Sequence, residues 1–294
     1  MNNVVEGKVP VGKLENTNVG YITDNNEHRY LDMLRRTLTA SVYPESAWLI
    51  LSGEDRSGVL GALKSAIINA FARRSLLILK KIQYDPSLRE NGLDWPLFGY
   101  TMVGMRRLEN IEYCIRSVIA DEIGGDFVEC GVWRGGASIY ARGVLNVLGA
   151  VDRKVWLADS FEGMPVQAES DRVDPDLASN KTLAVSEGEV RENFSRFNML
   201  DSRVQFIKGW FCDTLARSPI ERIAVLRLDG DYYSSTMDAL DALYERVAKG
   251  GYVIIDDYGD FESCRKAVHD FLEKKNLAPD IKPIDSNGVY WKKN

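Results

Sequence analysis

Two short acidic runs carry the most chemistry in this sequence. Asp229-Gly230-Asp231-Tyr232 follows the apolar Leu226-Arg227-Leu228, and Asp256-Asp257-Tyr258 follows Val253-Ile254-Ile255. Each run places carboxylates directly past a short strand-like stretch. If those strands are neighbours, Asp229, Asp256 and Asp257 meet at one point. Three carboxylates within a few ångströms cannot all stay ionised without a cation. Hard oxygen donors with open positions suit Mg²⁺, which acidifies a bound hydroxyl. Asp231, on the same loop but aimed elsewhere, is placed to take that proton as general base. The competing account makes Asp229 and Asp231 a turn and Asp256 a helix cap. It explains either acidic run alone better than both runs at neighbouring strand ends.

A second group reads Glu129-Cys130-Gly131-Val132-Trp133-Arg134-Gly135-Gly136-Ala137-Ser138. Its glycines let the backbone turn and approach a ligand, and a following helix N-terminus offers free N–H groups to a carboxylate. With Glu129 to accept from an ammonium group, the loop suits a zwitterionic amino acid, such as the methionine half of S-adenosylmethionine (SAM). Packing of helix on strand is the alternative use of such glycines. Asp159-Ser160 ends another apolar run and is placed for ribose hydroxyls, or for a turn cap. Gly209-Trp210-Phe211 offers an aromatic pair for adenine, or for the core.

These groups need strands that end together. The candidates are Asp126–Cys130, Lys154–Ala158, Val204–Ile207, Ile223–Leu228 and Tyr252–Ile255, with helical patterns near 136–148, 187–197, 234–248 and 262–275. Alternation at this spacing implies βαβ units and a parallel sheet. Ile281–Ile284 and Val289–Lys292 flank Asn287-Gly288 as a terminal antiparallel hairpin. The fold class expected is α/β, a Rossmann-like SAM-dependent methyltransferase fold. Its mostly parallel seven-stranded sheet ends in that hairpin and is preceded by a helical N-terminal extension. Residues 1–29 read as a mobile arm, 30–100 as the extension and 101–294 as the catalytic domain. Thr101 to Ile119 is expected to be an amphipathic helix, and Leu60 to Ile82 also reads as helical.

The chain has 294 residues and a formal net charge of -6, with no basic stripe, which argues against a nucleic-acid partner. Cys114, Cys130, Cys212 and Cys264 form no CxxC pair, so a zinc site or disulfide framework is not expected. No run is apolar enough for a signal peptide or a membrane span. A cytoplasmic, soluble enzyme is the expectation. His28 and His269 show no sign of converging on a metal, and His269 reads as a helix-surface or packing histidine in preference to a base near the site. Tyr232, Tyr233 and Tyr258 are placed either to line an acceptor pocket or to pack at strand edges.

With these patterns in place, the sequence resembles the macrocin and mycinamicin O-methyltransferases, the TylF-like family, which with the novobiocin-pathway enzyme methylate deoxysugars of natural products. The residues carrying the resemblance are Thr101-Met102-Val103-Gly104, Arg107-Leu108-Glu109-Asn110-Ile111, Glu129 to Gly136, Ala158-Asp159-Ser160-Phe161, Val185-Ser186-Glu187, Gly209-Trp210-Phe211 with Asp213-Thr214-Leu215, Leu228-Asp229-Gly230-Asp231 and Asp256-Asp257-Tyr258. It spans roughly Trp95 to the C-terminus, and more loosely Tyr30 to Ser46.

The resemblance implies that Asp229, Asp256 and Asp257 hold Mg²⁺, which grips vicinal hydroxyls of an acceptor sugar. It implies Asp231 as base, with Asp229 its rival. SAM would lie on Glu129, Cys130, Gly131, Val132, Trp133 and Ser138, with Asp159, Ser160, Gly209, Trp210, Phe211 and Asp229 beyond, under Thr101 and Met102. The product would be S-adenosylhomocysteine. Residues between Phe161 and Asn198 correspond to a mobile lid.

Residues 47–93 are longer and more apolar than the family's segment, which leaves open a non-sugar vicinal diol as acceptor. They also suggest a homodimer or higher homo-oligomer. A nicotinamide dehydrogenase is disfavoured, since the chain has neither Tyr-x-x-x-Lys nor GxGxxG. A non-catalytic SAM- or metal-binding regulator would have no use for a base.

Overall fold

The computed structural model describes residues 18–42, 48–51, 58–81, 85–96 and 98–294. Its centre is a seven-stranded sheet. In chain order the strands are β3 (Asp126–Cys130), β4 (Val155–Asp159), β5 (Val204–Lys208), β6 (Ile223–Leu228), β7 (Val247–Ile255), β8 (Lys282–Pro283) and β9 (Val289–Lys292). Across the sheet they run β5-β4-β3-β6-β7-β9-β8. The pairs from β5 through β7 are parallel, and β9 is antiparallel to both β7 and β8. This is the expected architecture.

β6 is buried along its whole length, as an apolar central strand of a parallel sheet must be. Helices α4 (Met105–Ala120) and α5 (Gly136–Val147) pack on one face with Ile111, Ile115, Tyr140 and Val144 in that core. Helices α8 (Tyr233–Leu243) and α9 (Glu262–Lys274) cover the other face with Leu240, Leu243, Val268 and Phe271. Chain order reverses direction about β3, because β4 lies on one side of it and β6 on the other. Ligands of such sheets bind at that reversal, beyond the carboxyl ends of the strands.

Three expectations need correction. Helix α1 spans Asn18–Leu38, so the part of the 1–29 arm that is described is helical; residues 1–17 lie outside the described set. Leu31, Leu34 and Leu38 are buried against the domain. Once that half is anchored, extending a helix toward its N-terminus costs far less than nucleating one.

Second, the segment read as helical from Leu60 to Ile82 ends its helix at Ala72. Helix α2 (Gly58–Ala72) is followed by β2 (Leu79–Lys81), which pairs antiparallel with β1 (Trp48–Ile50). Ser75, at φ 57°, turns the chain between them. Third, β7 starts at Val247, inside the pattern read as helix to 248, because Gly250 (φ 84°) and Gly251 end the helical course. Among the described residues, no helix is long and apolar enough to cross a membrane.

Candidate active site

The two acidic loops leave β6 and β7, which pair in parallel with Leu228 opposite Ile255. The ladder continues one step past the strands. Asp256 N donates to the Leu228 carbonyl at 2.9 Å, and Asp229 N to the Cys130 carbonyl at 2.8 Å. That shared register brings carboxylate oxygens of Asp229, Asp256 and Asp257 to within 4.8 Å of one another. Gly131 makes the crowding possible, for it sits at φ 89° with its Cα against the Asp229 carbonyl, where a Cβ would overlap that oxygen. Gly131→Ala is therefore expected to lower the melting temperature markedly, by the ~1–3 kcal/mol that overpacking costs, with added backbone strain. A thermal melt within a degree of the parent would contradict the close approach.

Two arginines to which the motifs assign no role hold this cluster. Asp256 is gripped on both oxygens, by Arg107 at Oδ2 and by Arg227 at Oδ1, the latter at 2.6 Å. Burial alone would raise the Asp256 carboxyl, yet these two guanidinium groups hold it below the usual range. Asp257 has no such support. Among the described residues its carboxylate accepts only the Asp231 N–H, at 3.0 Å. Burial, then the carboxylates of Asp231, Asp229 and Asp256, push it far above the usual range. Burial likewise raises Asp229 to about 6, against the pull of Arg227. Asp231 rises to about 8 through burial and the nearby Asp229 and Asp256 carboxylates.

The signal for both arginines was present. Arg227 interrupts an apolar strand, and Arg107 stands one turn before Ile111 on the buried stripe of α4. A charge at such a position requires a buried partner.

A cavity of about 300 Å³ opens over the acids, and a second of about 230 Å³ adjoins it beside α8. Gly131, Asp159, Gly163, Met164 and Asp229 line both. Of the residues singled out from sequence, Thr101, Met102, Glu129, Val132, Trp133, Asp231, Asp256 and Asp257 face the first cavity. Ser160, Trp210 and Phe211 face the second.

Three others do not reach a wall. Cys130 is buried in the sheet and offers only its carbonyl. Ser138 is buried on α5 and donates to Glu129 Oε2. Gly209, at φ 135°, turns the chain and donates to the Asp159 carbonyl. They shape the site from behind it. Asp159 itself does two jobs: it braces the loops, accepting from Val132 N and Phe161 N at 2.7 Å each, and it faces both cavities. Glu129 is held by Ser138 and by Arg227, at 2.5 Å. Burial lifts its carboxyl to about 7 even so. One N–H of the α5 terminus, that of Gly136, is taken by the Tyr100 carbonyl.

The polar segment 161–186 lies across the site and is pinned by carboxylates. Asp171 accepts from Ser234 N and Oγ at the start of α8. Asp174 accepts from Glu262 N and Ser263 N at the start of α9. Both act as N-terminal caps of helices that follow the acidic loops. Tyr232 is a buried anchor for this segment, donating to the Pro175 carbonyl and accepting from Leu177 N. Tyr233 bonds to Asp270 and Tyr258 to His269, and none of the three tyrosines lines either of these two cavities. The aromatic walls of the first cavity are Trp95, Trp133 and Phe261.

Comparison with known proteins agrees with this geometry. The family profile described as Macrocin-O-methyltransferase (TylF) matches residues 27–293. The chain is 42% identical to the 8-demethyl-8-(2,3-dimethoxy-alpha-L-rhamnosyl)-tetracenomycin-C 4'-O-methyltransferase of Streptomyces olivaceus, over 92% of this chain and 95% of that one. It is 40% identical to the mycinamicin III 3''-O-methyltransferase of Micromonospora griseorubida, over 90% and 96%. The solved structure of the O-methyltransferase NovP superposes with a TM-score of 0.77 at 40% identity, covering 91% of this chain and 99% of that one. The chain is an O-methyltransferase belonging to the macrocin O-methyltransferase (TylF) family.

Proposed function

We propose that this enzyme transfers a methyl group from SAM to a sugar hydroxyl of a glycosylated natural product, with Mg²⁺ held by Asp229, Asp256 and Asp257. The observation that carries the reading is the excess of buried negative charge beside a two-lobed cavity. Arg107 and Arg227 satisfy Asp256, but the buried Asp257 carboxyl forms no ion pair among the described residues. Such a charge is costly unless a cation joins it. The donor set is all oxygen, as Mg²⁺ prefers. The relative whose name specifies a rhamnosyl group, at 42% identity, supports a sugar acceptor.

SAM would supply an electrophilic methyl group, and Mg²⁺ would orient and acidify two neighbouring hydroxyls of the acceptor. The chain's own residues do the rest. Asp159 faces the ribose position, Trp210 and Phe211 wall the adenine lobe, and Glu129 offers its carboxylate to the amino group. Asp231 faces the first lobe with no cationic partner among the described residues and takes the proton from the reacting hydroxyl. Thr101 and Met102 roof the cavity, while Trp133 ties the 161–186 segment down by donating to the Thr182 carbonyl at 2.9 Å. Water is thereby kept from the reacting groups. Trp95, which also faces the first lobe, comes from the N-terminal extension, and we assign that extension a part in shaping the acceptor pocket.

Titration calorimetry with S-adenosylhomocysteine tests the cofactor assignment. Saturable one-to-one binding is expected in the parent and is expected to weaken about tenfold or more in Asp159→Ala, the loss of a charge-assisted hydrogen bond. Absence of binding in the parent would remove SAM from this reading.

A further inference from the structure

Three carboxylates at the ends of adjacent strands share one side chain. Arg227 lies on β6 with its side chain 1% exposed. Its Nη1 donates to Glu129 Oε1 of β3 at 2.5 Å, and its Nη2 to Asp256 Oδ1 beyond β7 at 2.6 Å. The same Nη2 stands 2.9 Å from Asp229 Oδ2. A planar guanidinium serves these acceptors from two nitrogens in fixed directions, whereas a lysine ammonium is a compact point charge on a flexible stem. Asp256 cannot swing away to compensate, because Arg107 holds its other oxygen and is itself tied to Asp285 at 2.9 Å.

We propose that Arg227 is a positioning residue that couples the cofactor end of the site to the cation end. The charge on Glu129 sets, through the shared guanidinium, how strongly Asp229 and Asp256 are held, and so how tightly the cation site takes Mg²⁺. This rests on the metal assignment above. With Glu129 ionised, the guanidinium divides its attraction among three carboxylates. With Glu129 neutral, it concentrates on Asp229 and Asp256 and competes with the cation for their oxygens. In a buried site such competition is weakly screened.

The test is calorimetric titration of MgCl₂ alone into the parent, Glu129→Gln, Arg227→Lys and the double variant. Glu129→Gln is expected to raise the Mg²⁺ Kd by roughly fivefold or more, the usual lower range of coupling between sites. In the Arg227→Lys background the same substitution is expected to change Kd by less than about twofold, since a non-zero cycle term marks coupled residues. An equal effect in both backgrounds would mean plain through-space attraction between Glu129 and the cation and would overturn the proposal.

A second variant needs no change at Arg227. Ser138→Ala removes the hydroxyl that donates to Glu129 Oε2 and leaves every charge in place. Glu129 then draws harder on Arg227, and Kd is expected to fall by about twofold, the scale of a small change in one hydrogen bond. A Kd unchanged in both Ser138→Ala and Glu129→Gln overturns the coupling alone. No Mg²⁺ uptake by the parent overturns the metal assignment first and the coupling with it.

Discussion

Asp231→Asn is expected to bind S-adenosylhomocysteine as the parent does and to lose roughly 10²–10⁴ of its turnover, the range that a positioned proton acceptor contributes. The fold should survive the change. Asp231 occupies a left-handed backbone conformation, φ 58°, which asparagine tolerates better than most residues. Its N–H to Asp257 is main-chain and is kept. The loss should therefore appear in kcat, with KM for SAM little changed. Asp229 is the rival base, but it is paired with Arg227 at 2.9 Å and belongs to the triad that meets at one point. Asp231 carries no such pairing among the described residues, and burial with its acidic neighbours raises its carboxyl to about 8 in the metal-free fold. Turnover within a few-fold of the parent would return the role to Asp229.

The second large effect concerns the cation and stability together. Chelation with EDTA is expected to abolish turnover and to lower the melting temperature, more at pH 8 than at pH 6. The sign follows from the carboxyl groups. Asp229, Asp231 and Asp257 all titrate above their ordinary value of 3.8 in the metal-free fold. A carboxyl raised by folding contributes stability that is complete below its unfolded pKa and is lost as pH rises through its folded one. Metal-free protein should thus weaken across the window from about pH 4 to 8, where Mg²⁺ would restore most.

Asp257→Asn sharpens the test, because it removes the carboxylate with no cationic partner. Metal-free Asp257→Asn is expected to melt above the metal-free parent at pH 8, by a few degrees for each ~1 kcal/mol recovered. It should gain nothing from MgCl₂ and should be inactive. Melting curves with EDTA and with MgCl₂, at both pH values, decide this. An Mg²⁺ gain in Asp257→Asn equal to the parent's would remove Asp257 from the cation site.

Much of this site could be read from residue order alone. Strand ends announce themselves when an apolar run stops at an acid, as at Leu228-Asp229 and Ile255-Asp256, and period and length placed β3, β6 and β9 where the structure has them. The glycine loop after β3 was legible because only glycine accepts the φ of 89° at Gly131. Residue order does not choose between pocket wall and packing for the tyrosines, because Tyr232 and Tyr233 stand next to the acids in sequence. Direction from a loop into a cavity or into a helix cap is settled only by the following turn.

Local patterning determined the α/β class, the acids at the strand ends and the family, since each depends on nearest-neighbour chemistry that the chain order displays. Tertiary structure alone decided which acids are neutralised and which are left over. Arg107 and Asp256 are far apart in sequence, as are Arg227 and Glu129, and the sheet register brings them into contact. It also decided that Asp171 and Asp174 cap α8 and α9, tying the covering segment to the helices that leave the acidic loops. The reason is the range of the forces involved. Propensity and periodicity act within a few residues, whereas the pairing of buried charges depends on distances that exist only once the chain has folded.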